Sequence, residues 1–129
     1  MKRNIYLLSF VLLTGMFVMF ACETDTDEGD YAIATSEWGK LTLTLNETSG
    51  PNNEWYFATV ASSGMAALTG VDDYSFTYSK TGTNKSTIKF QVSGEDRFDL
   101  TWTAANSGTF EQSFNGTAGN PGTFTVVKD

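Results

Sequence analysis

The chain has 129 residues, with 8 basic and 15 acidic side chains, a formal net charge of −7, one cysteine and no histidine. The acidic balance leaves no basic stripe for phosphate, which argues against a nucleic-acid partner and against docking on anionic lipid heads. Without imidazole the commonest general base and metal ligand is missing. Its absence also leaves a serine or cysteine triad without its base, and with only one thiol there is no intramolecular disulfide and no zinc site of the usual nitrogen and sulfur kind.

Lys2 and Arg3 precede an apolar run over residues 5–20, broken only by Ser9, Thr14 and Gly15. A basic start followed by such a run has the form of a secretory signal. The run is shorter than the roughly 20 apolar residues that cross a bilayer as a helix, and acid follows it rather than base. Its end, Met19-Phe20-Ala21-Cys22, resembles the lipobox of bacterial lipoproteins. The resemblance implies a signal peptide over residues 1–21, cleavage before Cys22 and a lipid on the Cys22 thiol. The protein would then reside in the bacterial cell envelope as an outer-membrane lipoprotein, and its membrane contact would be that lipid.

Residues 23–30 read Glu-Thr-Asp-Thr-Asp-Glu-Gly-Asp, five acids with no base and no apolar side chain. Such a segment cannot bury enough surface to offset its ordering entropy, so residues 22–30 are expected to be a lipidated, flexible and self-repelling tether. A helix-loop-helix calcium site needs glycine at its sixth position; counted from Glu23 that position is Glu28, with Gly29 one late. The acids are similar to the export flag that follows the lipid-bearing cysteine of cell-surface lipoproteins in some Gram-negative bacteria. That similarity implies surface exposure.

Residues 31–129 form one domain with room for one modest core. Apolar residues recur there at every second position, the period of half-buried strands. Leu41, Leu43 and Leu45 share one face; so do Tyr74, Phe76 and Tyr78, then Ile88, Phe90 and Val92, then Phe98, Leu100 and Trp102. Phe110 and Phe114 flank Gln112 on one face, and Phe124 with Val126 ends the series. One buried and one wet face per strand is the mark of antiparallel sheet. Thr81-Gly82-Thr83-Asn84, Gly94-Glu95-Asp96, Asn106-Ser107-Gly108 and Gly119-Asn120-Pro121-Gly122 supply turn chemistry between the runs. Two stretches are ambiguous. Residues 54–60 carry apolar side chains on both faces, and residues 61–71, with Gly64, Gly70 and Met65-Ala66-Ala67-Leu68, fit a short strand, a helical turn or a lid.

The expected fold is all-β: a small antiparallel meander of about eight strands, closed as an up-and-down barrel, with a two-sheet sandwich as the alternative. The segment Tyr-Ser-Phe-Thr-Tyr-Ser-Lys-Thr-Gly at 74–82, with the strand alternation around it, resembles lipocalin-like (calycin) barrels and repeat-style β domains of secreted bacterial proteins. The glycine-x-tryptophan signature of true lipocalins is absent, as Ser36-Glu37 precedes Trp38.

Candidate chemistry is sparse. Asp72-Asp73, Glu95-Asp96 and Asp99 are the carboxylates available for acid-base work, but the pairs fall at expected turns and Asp99 on a wet face. No catalytic residue, metal ligand or cofactor is assigned. The sequons at Asn46, Asn84 and Asn115 have no glycosylation meaning in a bacterial lipoprotein. Aromatic residues carry more information, with fourteen from Tyr31 onward. Phe90, Phe98, Trp102, Phe110 and Phe124 belong to the inward register. Trp38, Trp55, Tyr56 and Tyr78 depart from it, lying at strand starts, on a two-faced strand, or carrying a hydroxyl inward; these four are the candidate ligand or partner contacts. The expected function is a non-enzymatic, lipid-anchored envelope module that binds a small apolar ligand or a glycan. The alternative is a structural or inhibitory accessory protein that binds another envelope protein through its β surface.

Overall fold

In the computed structural model, which describes residues 29–71 and 73–129, the alternating runs become nine strands. The leader, Cys22, the tether as far as residue 28, and Asp72 lie outside the described residues. In chain order the strands are β1 (Leu41–Glu47), β2 (Asn52–Phe57), β3 (Ser63–Leu68), β4 (Asp73–Gly82), β5 (Lys85–Gln91), β6 (Glu95–Ala104), β7 (Ser107–Phe114), β8 (Thr117–Ala118) and β9 (Gly122–Lys128). A single 3-10 turn, Thr35–Glu37, precedes them. Of the two ambiguous stretches, the first ends as a strand at Phe57 and the second forms β3.

Each strand pairs antiparallel with the next from β1 to β8. β9 then returns to pair with β1, from Gly122 opposite Glu47 to Lys128 opposite Leu41, and with β7, from Gly122 opposite Phe110 to Thr125 opposite Ser107. Those two pairings close the sheet. β1 to β7 and β9 make an eight-stranded up-and-down barrel, the architecture of lipocalin-like barrels, and β8 is a short flap on the end of β7. A two-sheet sandwich is ruled out by the closure.

Turn residues have the backbone their chemistry allows. Asn115 and Gly116 take φ values of 51° and 86°, both positive as a two-residue type I′ hairpin requires, and join Phe114 to its partner Thr117. Gly39 is held by space as well as by its φ of 137°: a Cβ there would lie 2.1 Å from the Thr59 carbonyl oxygen. The chain leaves β2 at residue 58 to pass over this glycine, and the Ala61 N–H donates to the Trp38 carbonyl at 2.8 Å.

The lumen is built from rings. Trp55 stacks on Phe90 with centroids 3.7 Å apart, Phe90 meets Phe98 edge-on at 6.0 Å, and Phe98 meets Phe110 at 5.3 Å. Trp102 meets Phe124 at 4.9 Å. Small residues oppose large ones: Gly108 sits between Trp102 and Phe124 in the register, and a Cβ on it would come within 2.8 Å of the Phe124 ring. The buried Trp102 Nε1–H donates to Ser86 Oγ at 2.8 Å, so the inward hydroxyl and the indole satisfy one another.

The two ends of the barrel differ. At one, the segment before β1 forms a plug: Tyr78 Oη donates to the Ile33 carbonyl at 2.7 Å and the Lys80 N–H to Thr35 Oγ1 at 2.8 Å. Trp38 wedges between Phe57 and Tyr78. At the other end the inward positions of β1, β6 and β7 continue past the apolar series to Glu47, Asp96 and Gln112.

Candidate functional site

Three of the four aromatic residues singled out from the sequence are core side chains. Trp38, Trp55 and Tyr78 have 0%, 3% and 2% of their surface exposed. They therefore offer no face to a ligand approaching from outside. Trp38 stacks flat on Tyr78 at 4.0 Å and meets Phe57 edge-on at 5.1 Å. Its Nε1–H is buried without an acceptor. That orphan costs about 1–3 kcal/mol. Burying an aromatic ring of about 150–250 Å² returns roughly 4–6 kcal/mol at about 25 cal/mol per Å², so packing dominates.

Tyr56 behaves differently. It points outward from β2 and is 44% exposed. In the register it lies between Thr42 of β1 and Ala67 of β3, and Thr42 in turn lies beside Val127 of β9, itself 63% exposed. Thus a row of outward side chains crosses four neighbouring strands, with Met65 two residues from Ala67 on the same wall.

Clefts among the described residues indent the outer wall. One, of about 370 Å³, lies over β3, β4 and β5 and is lined by Ser63, Gly64, Met65, Thr77 and Lys89 among others; its floor is the edge of Phe76, reached where Gly64 lacks a side chain. A second, of about 340 Å³, lies over β5, β6 and β7. Its polar groups are engaged with one another: Asp99 accepts from Thr87 Oγ1 at 2.7 Å and from Arg97 Nε at 3.0 Å, and Lys85 Nζ donates to Thr101 Oγ1 at 3.2 Å. A third, of about 280 Å³, is lined by Thr44, Asn52, Asn53, Glu54, Leu68 and Thr69. It adjoins Tyr56, which is two residues from Glu54 on the same outward face of β2.

The inward polar end forms a small network. Gln112 Nε2 donates to Asp96 Oδ1 at 2.7 Å, and Asn120 Nδ2 donates to Glu47 Oε1 at 3.3 Å. Half-burial pushes the Asp96 carboxyl above its ordinary range and the Glu47 charge adds to the rise, while the Gln112 hydrogen bond opposes it. This network was missed from sequence because Glu95-Asp96 reads as a turn. The usable signal was parity, since Asp96 shares the alternation of Phe98, Leu100 and Trp102. Of the other candidate carboxylates, Asp72 lies outside the described residues and Asp73 is exposed, while Asp99 is engaged as above and Glu95 pairs with Lys89 at 3.6 Å. Among the described residues no group of three His, Cys, Asp or Glu side chains is placed to hold a metal ion. No helix of the described residues is long and apolar enough to cross a membrane.

No protein-family model, curated protein or solved structure matches the chain.

Proposed function

We propose that this chain is a lipid-anchored, non-enzymatic binding module of the bacterial cell envelope that meets its ligand on the outer wall of the barrel. The observation that carries the reading is the lumen itself. Trp55, Phe90, Phe98 and Phe110 stack across it in an unbroken series of ring contacts, which is what eight strands of this size accommodate when side chains fill the interior. A small apolar ligand has no place among them, so recognition falls to the clefts and exposed side chains of the wall. The envelope address rests on the lipobox-like segment ending at Cys22.

The reading is tested by native mass spectrometry of the full chain, expressed in a bacterial host and extracted in mild detergent. The expected mass is that of the polypeptide from Cys22 with its covalent lipid alone. A non-covalent apolar adduct that leaves on collisional activation contradicts recognition on the wall. Labelled palmitate should enter the protein and fail to enter a Cys22→Ala variant; equal labelling of both would remove the anchor from the account.

A second reading, an accessory or inhibitory subunit that binds another envelope protein, draws on one observation. Tyr56, Met65 and Val127 expose 44%, 59% and 63% of their surface on adjoining strands of one wall. Cross-linking in intact envelopes through a photoreactive residue at position 65 would yield a discrete heterologous band on this reading, and only the monomer band if it is wrong.

A further inference from the structure

The cleft bounded by Thr44, Asn52, Asn53, Glu54, Leu68 and Thr69 holds a carboxylate with no ion-pair partner among the described residues and lies beside an exposed tyrosine. In the cleft over β5 to β7 Asp99 accepts from Thr87 and Arg97, and Lys85 donates to Thr101. In the cleft over β3 to β5 the one cation, Lys89, is paired with Glu95. Asn53 shares the inward register of Trp55, while the Glu54 carboxylate, the Asn52 amide and the Thr44 and Thr69 hydroxyls make no such side-chain bonds among the described residues. Their donors and acceptors are open to a ligand.

The placement follows from the strands. Thr44 lies opposite Glu54, and the Thr69 N–H donates to the Glu54 carbonyl at 3.0 Å, so the three residues cross the wall in one row. Tyr56 sits one outward step along β2 from Glu54, about 6.7 Å away at the ordinary rise of a strand. Its cross-strand neighbours, Thr42 and Ala67, are both small, and Tyr56 is exposed. A flat, exposed aromatic ring beside a shallow cleft of free carboxylate, amide and hydroxyl groups matches a ligand with an apolar C–H face and a rim of hydroxyls.

We propose that this cleft together with Tyr56 is a saccharide-binding site, and that its ligand is a neutral glycan chain with one sugar ring on Tyr56 and the next in the cleft. The assignment rests on the outer-wall reading of the function and names its ligand class. Charge selects among glycans: among the described residues Glu54 is the only ionised group lining the cleft, and the domain carries ten acidic against six basic side chains, so uronic and phosphorylated sugars are disfavoured. Size selects too. At about 280 Å³ the cleft lies just below the range of sites that enclose a whole drug-sized ligand, as fits one ring of a longer chain.

The test is isothermal titration of the full lipidated chain in detergent with maltohexaose, xylohexaose, mannohexaose and chitohexaose, and with polygalacturonic hexamer as the charged control. The expected result is saturable binding of at least one neutral hexamer and none of the charged one. Tyr56→Ala should weaken that binding about tenfold, the size of a lost ring contact, with Tyr56→Phe retaining it. Glu54→Gln should weaken it about fivefold by replacing a charged acceptor with a neutral one. Glu111→Gln, on the opposite wall, should leave it unchanged. No binding of any neutral hexamer, or binding indifferent to both Tyr56→Ala and Glu54→Gln, overturns the proposal. The outer-wall reading fails separately, on an apolar adduct in the native mass spectrum. A discrete cross-linked protein with no hexamer bound would overturn the saccharide site while leaving the wall as the contact surface.

Discussion

Phe90 stands at the centre of the ring series, stacked on Trp55 at 3.7 Å and in contact with Phe57 at 6.3 Å and Phe98 at 6.0 Å. Phe90→Ala therefore removes a ring whose neighbours are fixed on β2 and β6 of a closed barrel. Closure limits how far those strands can collapse into the gap, so the loss should fall in the range of about 3–5 kcal/mol found for buried aromatic truncations. In a domain of about this size each 1 kcal/mol moves Tm by roughly 4–8 °C, giving a fall of at least about 12 °C. Urea unfolding followed by circular dichroism gives the free energy directly, and a thermal scan gives Tm. Tyr56→Ala, on the exposed wall, is the control and should stay within about 0.5 kcal/mol of the parent. A Phe90→Ala loss below about 1 kcal/mol would refute the reasoning, because it would mean that the ring already bordered open space.

The Asp96 carboxyl has a folded-state pKa above its ordinary value of 3.8, so the folded protein holds that proton more tightly than the unfolded chain does. The wild type should then gain stability from this group as pH falls through the raised pKa toward 3.8. Asp96→Asn, which keeps an acceptor for Gln112, should melt higher than the wild type at pH 7, with the difference shrinking over that window; a constant difference from pH 7 to pH 4 would contradict the assignment. Gly108→Ala places a Cβ 2.0 Å from the Thr101 carbonyl oxygen, a backbone atom of the adjacent strand, whereas Gly116→Ala meets nothing within 4 Å. Overpacking should cost Gly108→Ala about 1–3 kcal/mol or more, by straining the seams that β7 makes with β6 and β9, while Gly116→Ala should show only the positive-φ penalty of about 1–2 kcal/mol. Amide exchange separates them: Gly108→Ala should accelerate exchange at Phe124 and Val126, and unchanged rates there would count against the packing. Tyr78→Phe deletes the hydrogen bond to the Ile33 carbonyl and should cost about 1 kcal/mol, with faster exchange over residues 31–38 as the readout.

The inward register of Leu41, Leu43 and Leu45, of Ile88 and Phe90, and of Phe98, Leu100 and Trp102 was legible because a strand has a period of two and one face of each is buried. β3 was not separable by that test, since Gly64, Ala66 and Ala67 carry too little side chain to mark a face. Trp38 was misplaced for a different reason. Its burial depends on the plug laid across the barrel end and on the stack with Tyr78, forty residues away in sequence, which no local period reports. Tyr78 itself alternated correctly, but its hydroxyl drew it into the candidate site; the acceptor that satisfies it, the Ile33 carbonyl, becomes visible only in the fold. The cleft beside Tyr56 was equally hidden, because it joins Thr44 and Glu54 from two strands and Thr69 from the turn after β3, and only the tyrosine stood out in the sequence.

The central claim is that the lumen is filled and recognition belongs to the wall. Xenon titration followed by methyl NMR tests it most directly, since xenon enters dry apolar cavities and ignores a close-packed core. In the wild type the methyl signals of Leu43, Leu45 and Leu100 should stay in place up to the highest xenon pressure, while the same signals in Phe90→Ala should shift saturably. Saturable shifts of those methyls in the wild type would contradict the claim and return the ligand to the interior.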